Sequence, residues 1–349
     1  MIFIFDASSL IYTGHTGMKN SPFAESLSSR IHGTPVAGVR YALKQILKVH
    51  IDYPDGKILV VFDPLECDKY KVFPGYKQCR NFDSDIFLQK EMLYEICNKF
   101  GFNTYKVENH EADDIIYTIC YRICVEKTFL SDYEDIFIYA DDLDICQSML
   151  STRVFRMSLK KGGIVLDSSN FASCAKSGEI IPFNTTAPFI MFNGKPSNNV
   201  PSMKDGKKLF KSYALWARDN VSYEAYRGLW ANLKQFLLLK TKENPDYFTP
   251  VVNEVVNRYP VVYPRYYNGP IEYKKRELSD KETLSEILHV FNLKNTLSFF
   301  KLPLHNKDTF PFFEKWYRKY ASGAVCVENN VPLDLHSESA FLEDQVGGF

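Results

Sequence analysis

Apolar runs that stop at an acidic residue set the rhythm of the first half of the chain. Ile2-Phe3-Ile4-Phe5 stops at Asp6, and Ile58-Leu59-Val60-Val61-Phe62 stops at Asp63. Ile136-Phe137-Ile138-Tyr139 runs out into Asp141, Asp142 and Asp144. Short continuous apolar runs of this kind predict buried strands, here over 1–6, 57–63 and 135–140, with a shorter one over 103–107. Between them the period changes. Val36, Val39, Leu43, Ile46, Leu47 and His50 recur at helical spacing, so Thr34-Pro35 opens a helix over about 35–50. Ile86, Phe87, Met92, Leu93, Ile96, Cys97 and Phe100 mark the buried face of a helix over 84–100, with Gly101 as its C-terminal stop. Residues 13–34 are polar and contain Gly and Ser, which predicts a loop. Residues 153–167 predict a hairpin around Lys160-Lys161-Gly162-Gly163.

Strand and helix alternate as far as about residue 185, which predicts an α/β domain with a mostly parallel central sheet flanked by helices. In such sheets function gathers at the carboxyl ends of the strands, where the acidic residues fall. Beyond residue 190 the strand pattern stops. Basic and aromatic helices follow, and Pro201, Pro245, Pro250, Pro260 and Pro264 are expected to break them into short pieces. The chain therefore divides into a catalytic domain over 1–189, a helical subdomain over 190–322 and a flexible tail over 323–349.

Composition narrows the class. The chain has 349 residues, 45% hydrophobic and 24% charged, as in ordinary globular proteins. No apolar run approaches the roughly 18 residues of a membrane helix, so no membrane partner is expected. The first run lacks a basic start and is read as a strand, not a signal peptide. Eight cysteines without a CxxC pair read as reduced thiols of a cytoplasmic protein. Net charge is zero, yet its distribution is uneven. Residues 201–240 carry eight basic side chains, among them Lys204, Lys207, Lys208 and Lys211, against three acidic ones, while acidic charge gathers over 108–144. A basic patch beside an acidic pocket suits a phosphodiester approaching bound cations, and a solvated helical face reads as well from charge alone.

The densest acidic stretch is Glu111-Ala112-Asp113-Asp114, directly before Ile115-Ile116-Tyr117-Thr118-Ile119-Cys120. A helix starting there carries Asp113 and Asp114 in its first turn, where the dipole favours negative charge. Taken alone, Asp6 or Asp63 reads better as a cap or turn residue. Together with Glu111, Asp113, Asp114, Asp142 and Asp144 they read as one carboxylate pocket for a hard divalent cation, magnesium or manganese. So many carboxylates repel one another without such an ion.

Several stretches, in order, resemble the 5′-to-3′ exonuclease and flap endonuclease family, the PIN-like nucleases of phages and of bacterial DNA polymerase I. They are Ile4-Phe5-Asp6 with Ser8-Ser9-Leu10, Gly33-Thr34-Pro35, Val61-Phe62-Asp63, Pro74-Gly75-Tyr76-Lys77-Gln78-Cys79-Arg80, Glu111-Ala112-Asp113-Asp114 and Asp142-Leu143-Asp144-Ile145-Cys146-Gln147. The resemblance covers residues 1 to about 300. It implies a PIN-like sheet with a helix-three-turn-helix-like DNA-binding subdomain. It implies that Asp63, Glu111, Asp113, Asp114 and Asp142 form a first metal site supported by Asp6, and that Asp144 faces a second. Lys77 and Arg80 would contact the scissile phosphate, with Asp142 also essential to catalysis, and Tyr76 would stack on the terminal base. Substrates would be DNA with a 5′ flap, branched or nicked duplexes, or RNA/DNA hybrids, in the company of replication proteins and in a host cytoplasm if phage-encoded. The roughly thirty residues between Arg80 and Glu111 leave room for a single clamp helix instead of a long arch.

One stretch departs from the family pattern. In Asn193-Gly194-Lys195-Pro196-Ser197-Asn198-Asn199-Val200-Pro201, Lys195 and Asn198 align with two second-site aspartates, and a protonated lysine cannot ligate a cation. The Gly-rich turn that follows is replaced by Met203-Lys204-Asp205-Gly206-Lys207-Lys208, a segment that also resembles phage RNase H. Three readings stay open: a nuclease with one well-formed metal site and a doubtful second, a flap-binding replication protein that keeps the fold, and a PIN-like RNase.

Overall fold

The computed structural model describes residues 1–19, 30–31, 34–65, 67–73, 75–77, 83–159, 165–166, 186–220, 229–275, 278, 280–291, 293, 297–298, 301–302 and 311–321. Its strands are β1 (Ile2–Asp6), β2 (Arg30–Ile31), β3 (Thr34–Pro35), β4 (Lys57–Phe62), β5 (Asn103–Lys106), β6 (Ile136–Tyr139), β7 (Val154–Met157) and β8 (Val165–Leu166). The main sheet has the order β5-β4-β1-β6-β7-β8, parallel except for β8. Every residue of β1 is buried. That is the condition of a central parallel strand covered on both faces, and it explains why its sequence is an unbroken apolar run. Phe3, Phe137 and Phe155 sit opposite one another on β1, β6 and β7 and stack at 5.5 and 5.2 Å between ring centres, a cross-strand ladder that helps set the register. From β1 the chain runs outward through β4 and β5 and then returns to the other side of β1 as β6. The order therefore reverses at β1, and the crevice beyond its carboxyl end is where such sheets bind ligands.

The helices around the sheet are α1 (Ala7–Lys19), α2 (Ala37–Asp52), the single turn α3 (Lys69–Val72), α4 (Ser84–Lys99) and α5 (Ala112–Tyr121). The strands and helices predicted over 1–160 are present, but Thr34-Pro35, read as opening a helix, form β3, and β2 at Arg30–Ile31 lies in the segment read as a loop. The segment read as a loop from residue 13 is helical to Lys19. Its glycine is there for packing. A Cβ on Gly14 would lie 2.5 Å from Tyr41 Cβ and 2.9 Å from Gly38 Cα, and one on Gly38 would lie 2.7 Å from the Ile11 carbonyl oxygen. The backbones of α1 and α2 thus meet glycine to glycine. Gln89 of α4 locks the junction by accepting from the Gly38 amide at 2.7 Å and meeting His15 Nδ1 at 3.1 Å.

Beyond the sheet follow α6 (Thr186–Asn193), α7 (Gly206–Asn220), α8 (Leu229–Glu243), α9 (Pro245–Val262), α10 (Lys281–Val290) and α11 (Pro311–Ala321). The contacts gather Met1–Asn306 into one compact unit and Lys307–Phe349 into another. The expected fragmentation by proline does not occur at two positions: α9 runs through Pro250 and Pro260. Pro245 opens it at a position that needs no amide donor, and the Thr249 hydroxyl donates to the Pro245 carbonyl at 2.7 Å. Tertiary packing then holds it, for Arg258 is buried and donates to the carbonyls of Met191 and Pro201. Among the described residues no helix is long and apolar enough to cross a membrane.

Gly38→Ala forces a methyl against backbone at the α1–α2 crossing. We expect it to cost about 1–3 kcal/mol, the usual penalty of overpacking a rigid core, read as a lowered urea midpoint. An unchanged midpoint would show that the crossing relaxes freely.

Candidate metal centre

The carboxyl ends of β1, β4 and β6 bring the predicted acidic residues together. Asp6 is buried at the end of β1 and accepts from the Ser9 amide at 3.1 Å and its hydroxyl at 2.8 Å. Asp63, one residue past β4, accepts from the Ser8 hydroxyl and from the Ala112 amide at 2.9 Å, and Lys90 lies 3.5 Å away. It therefore ties the start of α5 to the sheet. Beyond β6 the turn is shaped by buried Arg156 of β7, which donates to the carbonyls of Ala140 at 3.0 Å and Asp141 at 2.6 Å. Asp141 turns aside, accepting from the Ser158 hydroxyl and Leu159 amide. Asp142 and Asp144 turn inward. There they meet Asp113 of α5, and the three offer oxygen atoms all within 4.8 Å of one another.

That trio fits a hard cation in donor type and spacing. Its electrostatics ask for one. Burial, with Asp142, Asp144 and Asp6 close by, holds the Asp113 carboxyl well above the usual carboxylate range. Burial and then Asp63 push Asp6 up to about 6. Asp144 is also raised, by burial and by Asp142, although Lys195 opposes this. Lys195 lies inside the cluster, with Nζ 2.7 Å from Asp142 Oδ1 and 2.5 Å from Asp144 Oδ2. It overcomes the effect of burial on Asp142 and brings that carboxyl down to about 2. The turn that carries Lys195 also props the Lys77 loop. Asn198 accepts from the Lys77 amide at 3.0 Å through its carbonyl, and Asn199 Nδ2 donates to the Gly75 carbonyl at 2.9 Å. Lys77 sits there in the left-handed region, φ 55°.

Glu111 and Asp114 are placed differently from Asp113. Each caps the other's backbone at the start of α5. Buried Lys69 of α3 bridges them, with Nζ 2.8 Å from Glu111 and 2.9 Å from Asp114. Glu111 is held further by Lys77 and by the Tyr76 hydroxyl at 3.1 Å. Burial alone would raise it, but Lys69 and Lys77 outweigh that and lower it to about 2. Asp114 is completely buried and also accepts from the Arg265 amide at 2.8 Å. One and two turns along α5, Thr118 accepts from the Tyr267 amide at 2.9 Å, and Arg122 donates to the carbonyls of Tyr267 and Gly269, both at 2.8 Å. Asp114, Thr118 and Arg122 thus form a ladder that holds the returning segment 265–269 by its backbone.

One expected contact stands differently in the structure. Tyr76 was expected to stack on a base, but it is 2% exposed, with its hydroxyl committed to Glu111. An aromatic ring packed into the core offers no face to a ligand. Arg80 lies outside the described residues. Lys204, Lys207, Lys208 and Lys211 are exposed on α7 and the turn before it. Lys69 and Arg156 escaped the sequence reading because their partners are 10 to 45 residues away. The Asp114, Thr118, Arg122 stripe was legible as polar residues four apart on an otherwise apolar helix.

Comparison with known proteins now adds the class. Residues 1–173 match the family model of the 5′-3′ exonuclease N-terminal resolvase-like domain. This part of the chain is similar to the 5′-3′ exonuclease family. The chain is 27% identical over 205 residues to the 5′-3′ exonuclease of Buchnera aphidicola subsp. Acyrthosiphon pisum (strain APS), covering 58% of this chain and 65% of that one. It is 23% identical over 206 residues to DNA polymerase I of Treponema pallidum (strain Nichols), covering 58% of this chain and 19% of that one. The chain thus spans less than two thirds of either relative. A structure of the T5 5′-exonuclease with bound zinc is similar at a TM-score of 0.45 and 14% identity, covering 73% of this chain and 93% of that one.

Lys69→Met leaves Glu111 and Asp114 buried without their bridging cation. We expect a loss of about 3–5 kcal/mol in urea unfolding, as for a broken buried ion pair, with Lys69→Arg losing less. The two shifted acids act on stability in opposite directions. Glu111, at about 2 against an ordinary 4.5, supports the fold above pH 4.5 and loses that support as pH falls toward 2. Asp6, at about 6 against 3.8, costs stability as pH rises from 3.8 to 6. Carboxyl carbon NMR titration of metal-free protein should give these two midpoints; equal midpoints would overturn the assignment.

Proposed function

We propose that this protein is a metal-dependent 5′-3′ exonuclease and flap endonuclease acting on DNA in replication or repair. The observation that carries the reading is the Asp113, Asp142, Asp144 oxygen cluster at the sheet's carboxyl end, inside a domain similar to the 5′-3′ exonuclease family. Magnesium or manganese bound there, with Asp6 and Asp63 behind it, would supply Lewis acidity and a water of lowered pKa. The protein's own groups would do the rest. Lys77, half-buried at the pocket and paired with Glu111, would exchange that partner for the scissile phosphate and stabilise its growing charge. Arg80 would assist it. The exposed lysines of α7 would hold duplex phosphates, giving a steep salt dependence, and the helices from residue 190 onward would serve as the DNA-binding part.

In this reading Lys195 stands in electrostatically for a second ion. Its ammonium spans Asp142 and Asp144, two of the three clustered acids, so a cation bound there would share those carboxylates with Lys195 and the chain itself would take the place of a second ion. The same ion pair favours the second reading, a flap-binding protein of weak or no hydrolytic activity, because a lysine supplies charge without activating water.

With a 5′-flap DNA and magnesium or manganese, the purified protein should release flap products. Asp113→Ala and Asp142→Ala should each lower that rate at least about 100-fold, since even outer-shell changes at metal sites cost 10–100-fold. Tight binding without cleavage in either metal would leave the binding role. By calorimetry, Lys195→Asp should raise the number of manganese ions bound from one to two; an unchanged stoichiometry would show that Lys195 does not occupy an ion's place.

A further inference from the structure

With Tyr76 buried, Tyr70 is an aromatic ring among the described residues that solvent reaches beside it. It is 46% exposed on α3, with its ring 5.8 Å from that of Tyr76. Tyr76 in turn donates its hydroxyl to Glu111 at 3.1 Å, so Tyr70 lies one ring away from the acidic cluster. Leu65 and Val72, 45% and 53% exposed, lie within five residues of it in the chain. Three large apolar side chains left in water over eight residues need a reason beyond the fold. Cations adjoin them in the chain: Lys71, exposed at 72% with Asp68 3.1 Å from its Nζ, and Lys77, paired with Glu111, five residues beyond Val72.

The shelf is also rigid. α3 is a single turn and would not hold its shape alone. Lys69 at its start is fixed by ion pairs to Glu111 and Asp114. Its end is closed by the Phe73 amide on the Lys69 carbonyl at 3.0 Å, and the Tyr76 amide on the Phe73 carbonyl at 3.0 Å continues the turn into the Lys77 loop. Tyr76, anchored on Glu111, backs the Tyr70 ring. An aromatic face that is prepaid in rigidity, half in water and flanked by ammonium groups is the arrangement that binds a nucleobase by stacking while the cations take the adjoining phosphates.

We propose that Tyr70 is the base-stacking residue of this site, holding an unpaired base of a nucleic-acid strand against α3 while Lys71 and Lys77 hold its phosphates. The identity of the ligand rests on the nuclease reading. The stacking itself does not require hydrolysis.

The test is binding in EDTA, where nothing is cut, of a 5′-flap DNA carrying 2-aminopurine in the flap. Stacking on Tyr70 quenches that fluorophore. Tyr70→Ala should abolish the quench and weaken binding about 5- to 150-fold, the range expected for one stacked base. Tyr70→Phe and Tyr70→Trp should keep both. Tyr133→Ala removes a tyrosine that is 78% exposed before β6, at the opposite end of the sheet, and should change neither. Wild-type affinity and quenching in Tyr70→Ala overturn the proposal and leave the nuclease reading standing. Binding and quenching by a wild-type protein that never cuts in magnesium overturn that reading and keep the stacking. A wild-type protein that binds no flap DNA overturns both.

Discussion

Repulsion among carboxylates is the constraint around which this domain is arranged. Asp6, Asp63, Glu111, Asp113, Asp114, Asp142 and Asp144 converge where several parallel strands end. In a partly buried setting such a group cannot all remain ionised without opposing charge. The fold supplies much of that charge itself. Lys69 bridges Glu111 and Asp114, Lys77 meets Glu111, Lys90 approaches Asp63, and Lys195 spans Asp142 and Asp144. Among the described residues Asp6 and Asp113 have no such ion pair, and their carboxyls are raised above the ordinary range. The unmet demand for positive charge therefore falls at the centre of the cluster, where a divalent cation would be most useful.

The lysines sort neighbouring acids into different tasks. Asp113 and Asp114 are adjacent in the chain, but successive residues on a helix point about 100° apart. Asp113 faces the open cluster. Asp114 faces inward to Lys69 and the Arg265 amide, and begins the ladder that binds segment 265–269. The acidic cluster and the attachment of segment 265–269 thus share one helix. The turn 195–200 joins them again, with its lysine among the acids and its asparagines supporting the loop of Lys77. A change at this turn reaches the acidic cluster and the loop of Lys77 together.

Much of this was legible in the chain. The acid-terminated apolar runs gave the parallel sheet, because a strand covered on both faces must be apolar throughout and its polar exit marks the sheet edge. Less legible were elements whose sequence obeys a packing demand. Gly14 looked like a loop residue but allows α1 to lie against α2. Pro250 and Pro260 looked like helix breakers, yet α9 passes through them under the hold of Arg258. The family resemblance of its motif implied a ligand-facing Tyr76, but its ring turns into the core with its hydroxyl on Glu111.

By itself the sequence determined the α/β class, the carboxyl-end location of the site and the acids that meet there, since these follow from local period and from strand ends. Only the tertiary structure decided which acids remain open to a cation and which are spent on lysines, and which tyrosine reaches solvent. Those distinctions depend on side-chain directions and on partners as far away as 151 residues in the chain, and no local pattern records them.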